Sequence, residues 1–316
     1  MSDLGHVLIL AGGLSPEREV SLRSGDRLRD ALQEAGVDAE TADADAALIP
    51  AIIADPPDVI FPAIHGACGE DGSIREVLAL LGVPYVGSTA DASRFAFDKP
   101  TAKAVVRSAG LLTPESVTLP RETFHDLGAS AVLDRIVATL GLPLFVKPAR
   151  GGSALGAARV LTAEDLPGAM IGCFAYGDTA LVERCITGTE ITVGVFDHGR
   201  GPEALPAVEI RPVSGAYDYA ARYTTGQTEF YTPARLPADV AAAAADAAIT
   251  AHNVLGLRDL SRTDLIVTGG QVFFLEVNVA PGMTETSTLP MALEAAGLDL
   301  GVACRDLLCL AAERGN

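Results

Sequence analysis

A chain of 316 residues, 49% of them apolar, has enough material for two or three compact units with real cores. Its net charge of −18 argues against nucleic acid as a partner, since one polyanion repels another. The apolar runs are short and broken by charge, so no membrane span is expected. Five scattered cysteines (Cys68, Cys173, Cys185, Cys304 and Cys309) without zinc spacing read as reduced thiols in a cytoplasm.

The first residues, "MSDLGHVLILAGG", lack a basic region and a cleavage site and read as a first strand, not a signal peptide. "SPEREVSLRSGDRLRDALQEAGV" follows with helical periodicity. Ser15 is placed to N-cap it, Pro16 suits the first helical position and Gly36 the stop. "PDVIFPAIHG" is a second strand, "GSIREVLALLGV" a helix and "PYVGS" a short strand. Strands alternating with helices predict a doubly wound parallel sheet over about the first 95 residues.

"DKPTAKAVVRSAGLL" opens a second region as a helix, and another helix at 130–140 precedes "LPLFVKPARGGSALGAARVLTA", a strand, glycine-rich loop and strand. "TALVERCITGTEITVGVF" gives two more strands, and from there the pattern is antiparallel. "SGAYDYAARYTTGQTEFYTP" reads as a long surface loop. An Ala-rich helix, the strands "SRTDLIVT" and "QVFFLEVNV", and a closing helix from about 289 complete the chain.

The chemistry begins with an oddity of composition. There are only three lysines, Lys99, Lys103 and Lys147, against 20 arginines. A lysine kept in such a chain suggests a compact charge for gripping phosphate. Lys147 stands just before "ARGGSALG", whose backbone N–H groups either cradle phosphate or belong to a mobile surface loop. Neither a Walker A nor a dinucleotide fingerprint occurs, which disfavours a dehydrogenase.

Glu276 and Asn278 lie on one face of a strand that otherwise reads as buried. A two-residue loop at Gly269–Gly270 would pair the preceding strand's Asp264 with Leu275, on the wrong face. A three- or five-residue loop centred on Gly270 pairs it with Glu276, and this odd-length loop is predicted. Asp264, Glu276 and Asn278 then form an oxygen cluster suited to Mg²⁺; the alternative is a salt bridge to Arg262 or Arg211. Glu17 serves either the helix dipole or a substrate ammonium. His65, at a strand's C-terminal end, is either a ligand-binding residue or a histidine satisfied in place.

Taken together, "GGLSPEREVSLRSG", "HGACGEDG", "YVGS…DK", "KPARGGSALG", "YDYAARY", "RTDL" and "EVNVAPGMTETS" resemble the D-alanine–D-alanine ligase family of the ATP-grasp superfamily, in order and spacing from residue 12 to 290. The resemblance implies a mixed α/β and α+β fold in three subdomains: an N-terminal Rossmann-like domain at 1–96, a central ATP-grasp lid at 97–187, and an antiparallel catalytic core at 188–316. It implies a cytoplasmic homodimer acting on small amino acids. ATP phosphorylates one D-alanine, and the amine of a second attacks the acyl phosphate.

By that resemblance Lys99 and Lys147 contact ATP phosphates, Glu183 and Glu190 bind adenine and ribose, and Asp264, Glu276 and Asn278 hold two Mg²⁺ ions, with Mn²⁺ as a substitute. Glu17 orients the first ammonium, and Arg262 with the Gly282 N–H forms the oxyanion site. Ser153 and Tyr223 close over the site from two loops. His65, Arg222, Ser287 and Thr288 belong to the substrate side. Four positions depart from the family pattern. Gly151 stands where an acid is usual, Ala154 where a second serine is, Arg222 where lysine is, and Thr288 where leucine follows the serine. The last two fall on the acceptor side, so another D-amino acid acceptor, or an intramolecular ring closure of the D-cycloserine-forming type, stands as the alternative. The retained Tyr223 favours an amine over a hydroxy acid. A nucleotide-binding module without catalysis would be expected to lose the metal triad or Arg262, and both are present.

Overall fold

The computed structural model describes residues 4–213, 221, 222, 224 and 226–315. Three sheets organise it. The first is parallel, ordered β2-β1-β3, from β1 (Val7–Ala11), β2 (Ala39–Asp43) and β3 (Val59–Pro62). β1 and β3 are buried along their whole lengths because both faces of the sheet are covered. Val7, Ile9, Val59 and Phe61 pack against Leu28 and Leu32 of the Arg18–Glu34 helix and Leu307 and Leu308 of the Leu300–Arg314 helix. Leu8, Leu10 and Ile60 face Ile52, Ile74 and Leu78 on the other side. This is the predicted doubly wound arrangement, although "PYVGS" contributes only a single bridge, Tyr85 to Ile60.

The second sheet is antiparallel, β4-β7-β5-β6, from β4 (Ser116–Pro120), β5 (Leu144–Pro148), β6 (Ala158–Val160) and β7 (Thr179–Arg184). The third has six strands: β8 (Thr189–Phe196), β9 (Glu203–Ala204), β10 (Val208–Pro212), β11 (Thr228–Tyr231), β12 (Leu260–Thr268) and β13 (Gln271–Asn278). Its order is β11-β10-β8-β12-β13, with β9 on β8. Helices Ala90–Phe97, Lys99–Ser108 and Ala238–Val254 share its core. No helix among the described residues is long and apolar enough to cross a membrane.

Four local expectations are corrected. Ser15 does not cap the first helix. Its hydroxyl donates to the His65 carbonyl at 2.9 Å and accepts the Glu17 N–H at 3.2 Å, so Glu17 itself takes the N-cap position. The segment read as a long loop ends in a strand, because Thr228–Tyr231 pairs with β10; residues 214–220, Tyr223 and Thr225 lie outside the described residues. The closing helix is two helices, Thr288–Ala295 and Leu300–Arg314, separated where Gly297 takes a positive φ of 74°.

The fourth correction concerns the hairpin. β12 and β13 are joined by the two-residue loop, with Thr268 opposite Gln271 and both Gly269 (φ 55°) and Gly270 (φ 77°) left-handed, as a tight hairpin turn demands. Asp264 is nevertheless opposite Glu276. A β-bulge between Asp264 and Leu265 leaves Leu275 without an opposite residue and shifts the register by one. The pairing was readable from side-chain chemistry, but the bulge sets it, not the turn.

Candidate active site

Arg262 is opposite Asn278 and Asp264 opposite Glu276, so four polar residues form a two-by-two block on one face of β12 and β13. On the neighbouring strand β8, Thr192 is opposite Asp264 and Glu190 opposite Ile266, which extends the same face. The block sits where two cavities meet. One, of about 70 Å³, is lined by Glu17, His65, Ser153, Arg262, Gly282 and Thr288 among others. The other is a cleft of about 340 Å³ between the second and third sheets, lined by Lys147, Glu183, Glu190 and Asp264 among others. Lys99, Gly151, Gly152, Arg222 and Glu276 line both.

At this junction Lys99 Nζ lies 3.5 Å from Glu276 Oε2 and donates to the Gly151 carbonyl at 2.5 Å. Burial would raise the Glu276 carboxyl, but Lys99, Lys147, Arg222 and Arg262 outweigh it and bring it down to about 2. Glu276 is therefore ionised at any physiological pH. Arg262 donates to both Asp264 oxygens, at 2.7 and 3.0 Å. The Arg262 salt bridge weighed as the alternative to a metal is thus present. Asn278 Oδ1 accepts the Ala280 N–H at 2.8 Å.

The donor set tests what these residues could hold. It is two carboxylates and an amide oxygen, and among the described residues no three His, Cys, Asp or Glu side chains gather as a metal site. So few hard oxygens fit a small divalent cation that completes its shell with phosphate and water.

The third lysine also finds its place here. Lys103, 1% exposed, bonds Glu183 Oε2, while Lys147 Nζ lies 2.8 Å from Glu183 Oε1. Burial would raise Glu183 and lower Lys147; their mutual attraction, with Lys103 aiding Glu183, reverses both. Burial prevails at Lys103, whose pKa falls. Sequence reasoning gave Lys103 no role, although it lies one helical turn from Lys99 and is one of only three lysines.

The glycine-rich loop folds over the small cavity. Ser153 (φ 50°) and Ala154 (φ 57°) are left-handed without being glycine, a conformation that costs energy and is held by its surroundings. The strain brings the Ser153 hydroxyl onto Glu17 Oε1. A Cβ on the adjacent Gly152 would lie 2.9 Å from Glu17 Oε1 and would push that carboxylate aside. Burial raises the Glu17 carboxyl, against Ser153, Arg222 and Lys99. Glu70, which sequence reasoning passed over, also lines this cavity; burial and the nearby Glu17 push it up to about 8. Arg222 lines both cavities, and Tyr223 lies outside the described residues.

His65 is satisfied in place. Its Nδ1 lies 3.1 Å from the Ala280 carbonyl, and its Nε2 lies 2.8 Å from Ser24 Oγ, which accepts the Met283 N–H at 3.1 Å. Arg27 donates to the Met283 and Thr284 carbonyls at 3.1 and 2.5 Å. The first helix and His65 therefore hold the loop that carries Gly282. Ser24 and Arg27 could have been found as polar residues on a helix otherwise patterned for a core.

Burial pushes His65 down to about 4, with the Ala280 carbonyl opposing and Arg262 assisting. Unfolding restores its ordinary value near 6.5. Between pH 6.5 and 4 the unfolded chain binds a proton that the folded chain refuses. Stability from this group is present above pH 6.5 and is lost as pH falls through that window, by about 1.4 kcal/mol per unit. A His65→Asn variant should show a shallower decline in urea-unfolding free energy between pH 6.5 and 5. Equal slopes would mean that the folded ring is already charged.

Two family profiles match the chain, D-ala D-ala ligase N-terminus over residues 38–88 and D-ala D-ala ligase C-terminus over 105–308. A D-alanine–D-alanine ligase of Desulforudis audaxviator is 39% identical, covering 97% of this chain and 98% of the relative. Among solved structures, the VanG D-Ala:D-Ser ligase of Enterococcus faecalis superimposes with a TM-score of 0.82 at 28% identity, covering 97% of this chain and 99% of that one. The D-alanine–D-alanine ligase of Bacillus anthracis complexed with ATP gives 0.79 at 26%, covering 98% and 97%. Two profiles in the right order, near-complete overlap with a relative and a shared fold leave one assignment: the chain belongs to the D-alanine–D-alanine ligase family.

Proposed function

We propose that the chain is an ATP-dependent ligase that joins two D-alanines through a D-alanyl phosphate, releasing ADP and phosphate, for cell-wall precursor synthesis. The observation that carries the reading is the junction itself. A cleft lined by Lys99 and Lys147 opens into a small polar cavity at Glu276, whose charge both lysines hold. A triphosphate in the cleft would have its terminal phosphate between the two lysines, facing an amino acid in the cavity.

In this reading Glu190 and Glu183 serve the ribose and adenine end, and Lys99 and Lys147 neutralise phosphate charge. Glu17, held by Ser153, receives the ammonium of the first amino acid. An arriving cation would hold Glu17 ionised against the burial that raises it. The carboxylate oxygen then attacks the γ-phosphorus, and ADP departs. The second amine attacks the acyl carbon, and Arg262 with the Gly282 N–H faces the oxygen on which charge develops. His65 and Ser24 keep Gly282 in position. Ser153 closes the cavity against water, which would hydrolyse the acyl phosphate, a task that the resemblance also assigns to Tyr223. Ser287 and Thr288 line the wall that meets the substrate.

Asp264, Glu276 and Asn278 would hold Mg²⁺, or Mn²⁺ in its place, with Arg262 giving up its hold on Asp264. Two such ions would offset triphosphate charge during transfer. Cytoplasmic location and a homodimer belong to the same proposal.

The test is phosphate release from Mg·ATP with D-alanine as the only amino acid, with products identified by mass. D-Alanyl-D-alanine is expected in step with phosphate. No dipeptide, together with turnover on D-serine derivatives that close on themselves, would replace this reading with the ring-closing one.

A further inference from the structure

Arg75 stands where a cation is least expected. It is the third residue of the Ser73–Leu81 helix, at the end whose dipole favours acids. It is only 1% exposed, and among the described residues no carboxylate pairs with it. Its Nε has no hydrogen-bond partner there. Burial lowers its pKa to about 10, so it keeps its charge at neutral pH. A cation at the wrong helix end, buried and partly unsatisfied, is not explained by the stability of its own helix.

What the guanidinium touches is specific. Nη1 donates to the Gly69 carbonyl, and Nη2 donates at 3.4 Å to the Val279 carbonyl, 204 residues away in the chain. Each carbonyl adjoins a different wall of the small cavity. Gly69 lies in the turn from Gly66 to Glu70, where the Glu70 N–H meets the Gly66 carbonyl at 3.0 Å and the Gly66 N–H meets Glu70 Oε1 at 3.1 Å. That turn has no slack. A Cβ on Gly69 would lie 2.0 Å from the Ile64 carbonyl oxygen, and one on Gly66 would lie 2.6 Å from Glu17 Oε2. Val279 directly follows Asn278 and begins the run to Gly282, which His65 holds at Ala280. Glu70, Asn278 and Gly282 all line the cavity.

A guanidinium is a rigid planar fork, so two carbonyls bound to it keep a fixed separation. We propose that Arg75 is a positioning residue: it holds the Glu70 turn against the segment from Asn278 to Gly282 and so sets the width of the cavity that receives the amino acid. The inference rests on the ligase reading. It acts on the amino-acid side alone, because Arg75, Gly69 and Val279 are all absent from the lining of the nucleotide cleft.

The experiment is steady-state kinetics of the full chain with Mg·ATP and D-alanine, with folded sites counted by ATP binding. Arg75→Met should raise KM for D-alanine about tenfold and lower kcat about tenfold, while KM for ATP stays within about twofold of the parent. Arg75→Lys keeps the charge and a donor without the fixed fork, so both of its D-alanine parameters should fall between those of Arg75→Met and the parent. A residue that only supports the fold would scale the rate with the number of folded sites and leave KM for D-alanine unchanged, and that result would overturn the proposal. So would an equal rise in both KM values, because the whole site would then have shifted and not the one cavity. Should Arg75→Met fail to fold, Arg75→Lys decides alone, and a D-alanine KM equal to the parent's overturns the proposal. A parent without D-alanine-dependent phosphate release would sink the ligase reading before any variant is compared.

Discussion

Glu276→Gln is expected to lower kcat/KM for D-alanine-dependent phosphate release by about 10³, with most of the loss in kcat. The substitution keeps shape and removes charge. Glu276 is held ionised near 2 by Lys99, Lys147, Arg222 and Arg262, so the parent carries a full negative charge at pH 7. Glutamine leaves Lys99 without its ion-pair partner, while Lys147 keeps Glu183, and takes a hard oxygen from the set proposed for Mg²⁺. The half-saturating Mg²⁺ concentration should rise in the same variant, a change that a merely structural carboxylate would not produce. Steady-state kinetics over a Mg²⁺ series check both. Activity within tenfold of the parent at ordinary Mg²⁺ would remove Glu276 from the proposed metal set.

Lys103→Met should destabilise the fold by about 3 kcal/mol, because it takes one cation from a buried carboxylate that has two. Glu183 would keep only Lys147, at 2.8 Å, and would hold it more tightly. A lysine drawn onto Glu183 is less available to phosphate, so KM for ATP should rise about tenfold while kcat changes less. Lys103→Arg should restore only part of this, since a planar guanidinium cannot occupy an ammonium's site without displacing its neighbours. Removing both charges, as Lys103→Met with Glu183→Gln, should recover much of the lost stability, because a buried pair is worth far less than the penalty of leaving one member alone. Urea unfolding of the singles and the double closes the cycle. An unchanged midpoint in Lys103→Met would mean that water already reaches Glu183.

Both predictions rest on the same cluster. The lysines are Lys103 at Glu183's one oxygen, Lys147 at its other, and Lys99 at Glu276. With arginine abundant elsewhere, the retention of lysine at these three positions has a physical account. An ammonium is compact enough to be enclosed beside a carboxylate in a buried setting, and a guanidinium fork is larger and planar.

Local pattern determined a good deal by itself. The all-apolar β1 required a sheet covered on both faces, and two covering layers are what it has. The strand, glycine-rich loop and strand around Lys147 was legible because Pro148 and the glycines punctuate it. Asp264, Glu276 and Asn278 could be grouped from period two and from the cost of burying acids alone.

Other features needed the tertiary structure, because they depend on residues far apart in the chain. No turn rule reveals the bulge that leaves Leu275 unpaired and places Asp264 opposite Glu276. The Glu17–Ser153 bond spans 136 residues and requires a strained loop that only a folded neighbour can hold. Lys103 and Glu183 are 80 residues apart, so a lysine without a motif acquired its partner only when the Lys99–Ser108 helix packed near the second sheet. His65 was open to two readings until the fold brought Ala280 and Ser24 to its two nitrogens. Sequence chose the types of group and their local spacing; long-range packing decided which of them meet, since hydrogen bonds and ion pairs act over a few ångströms and periodicity reports only a residue's own element.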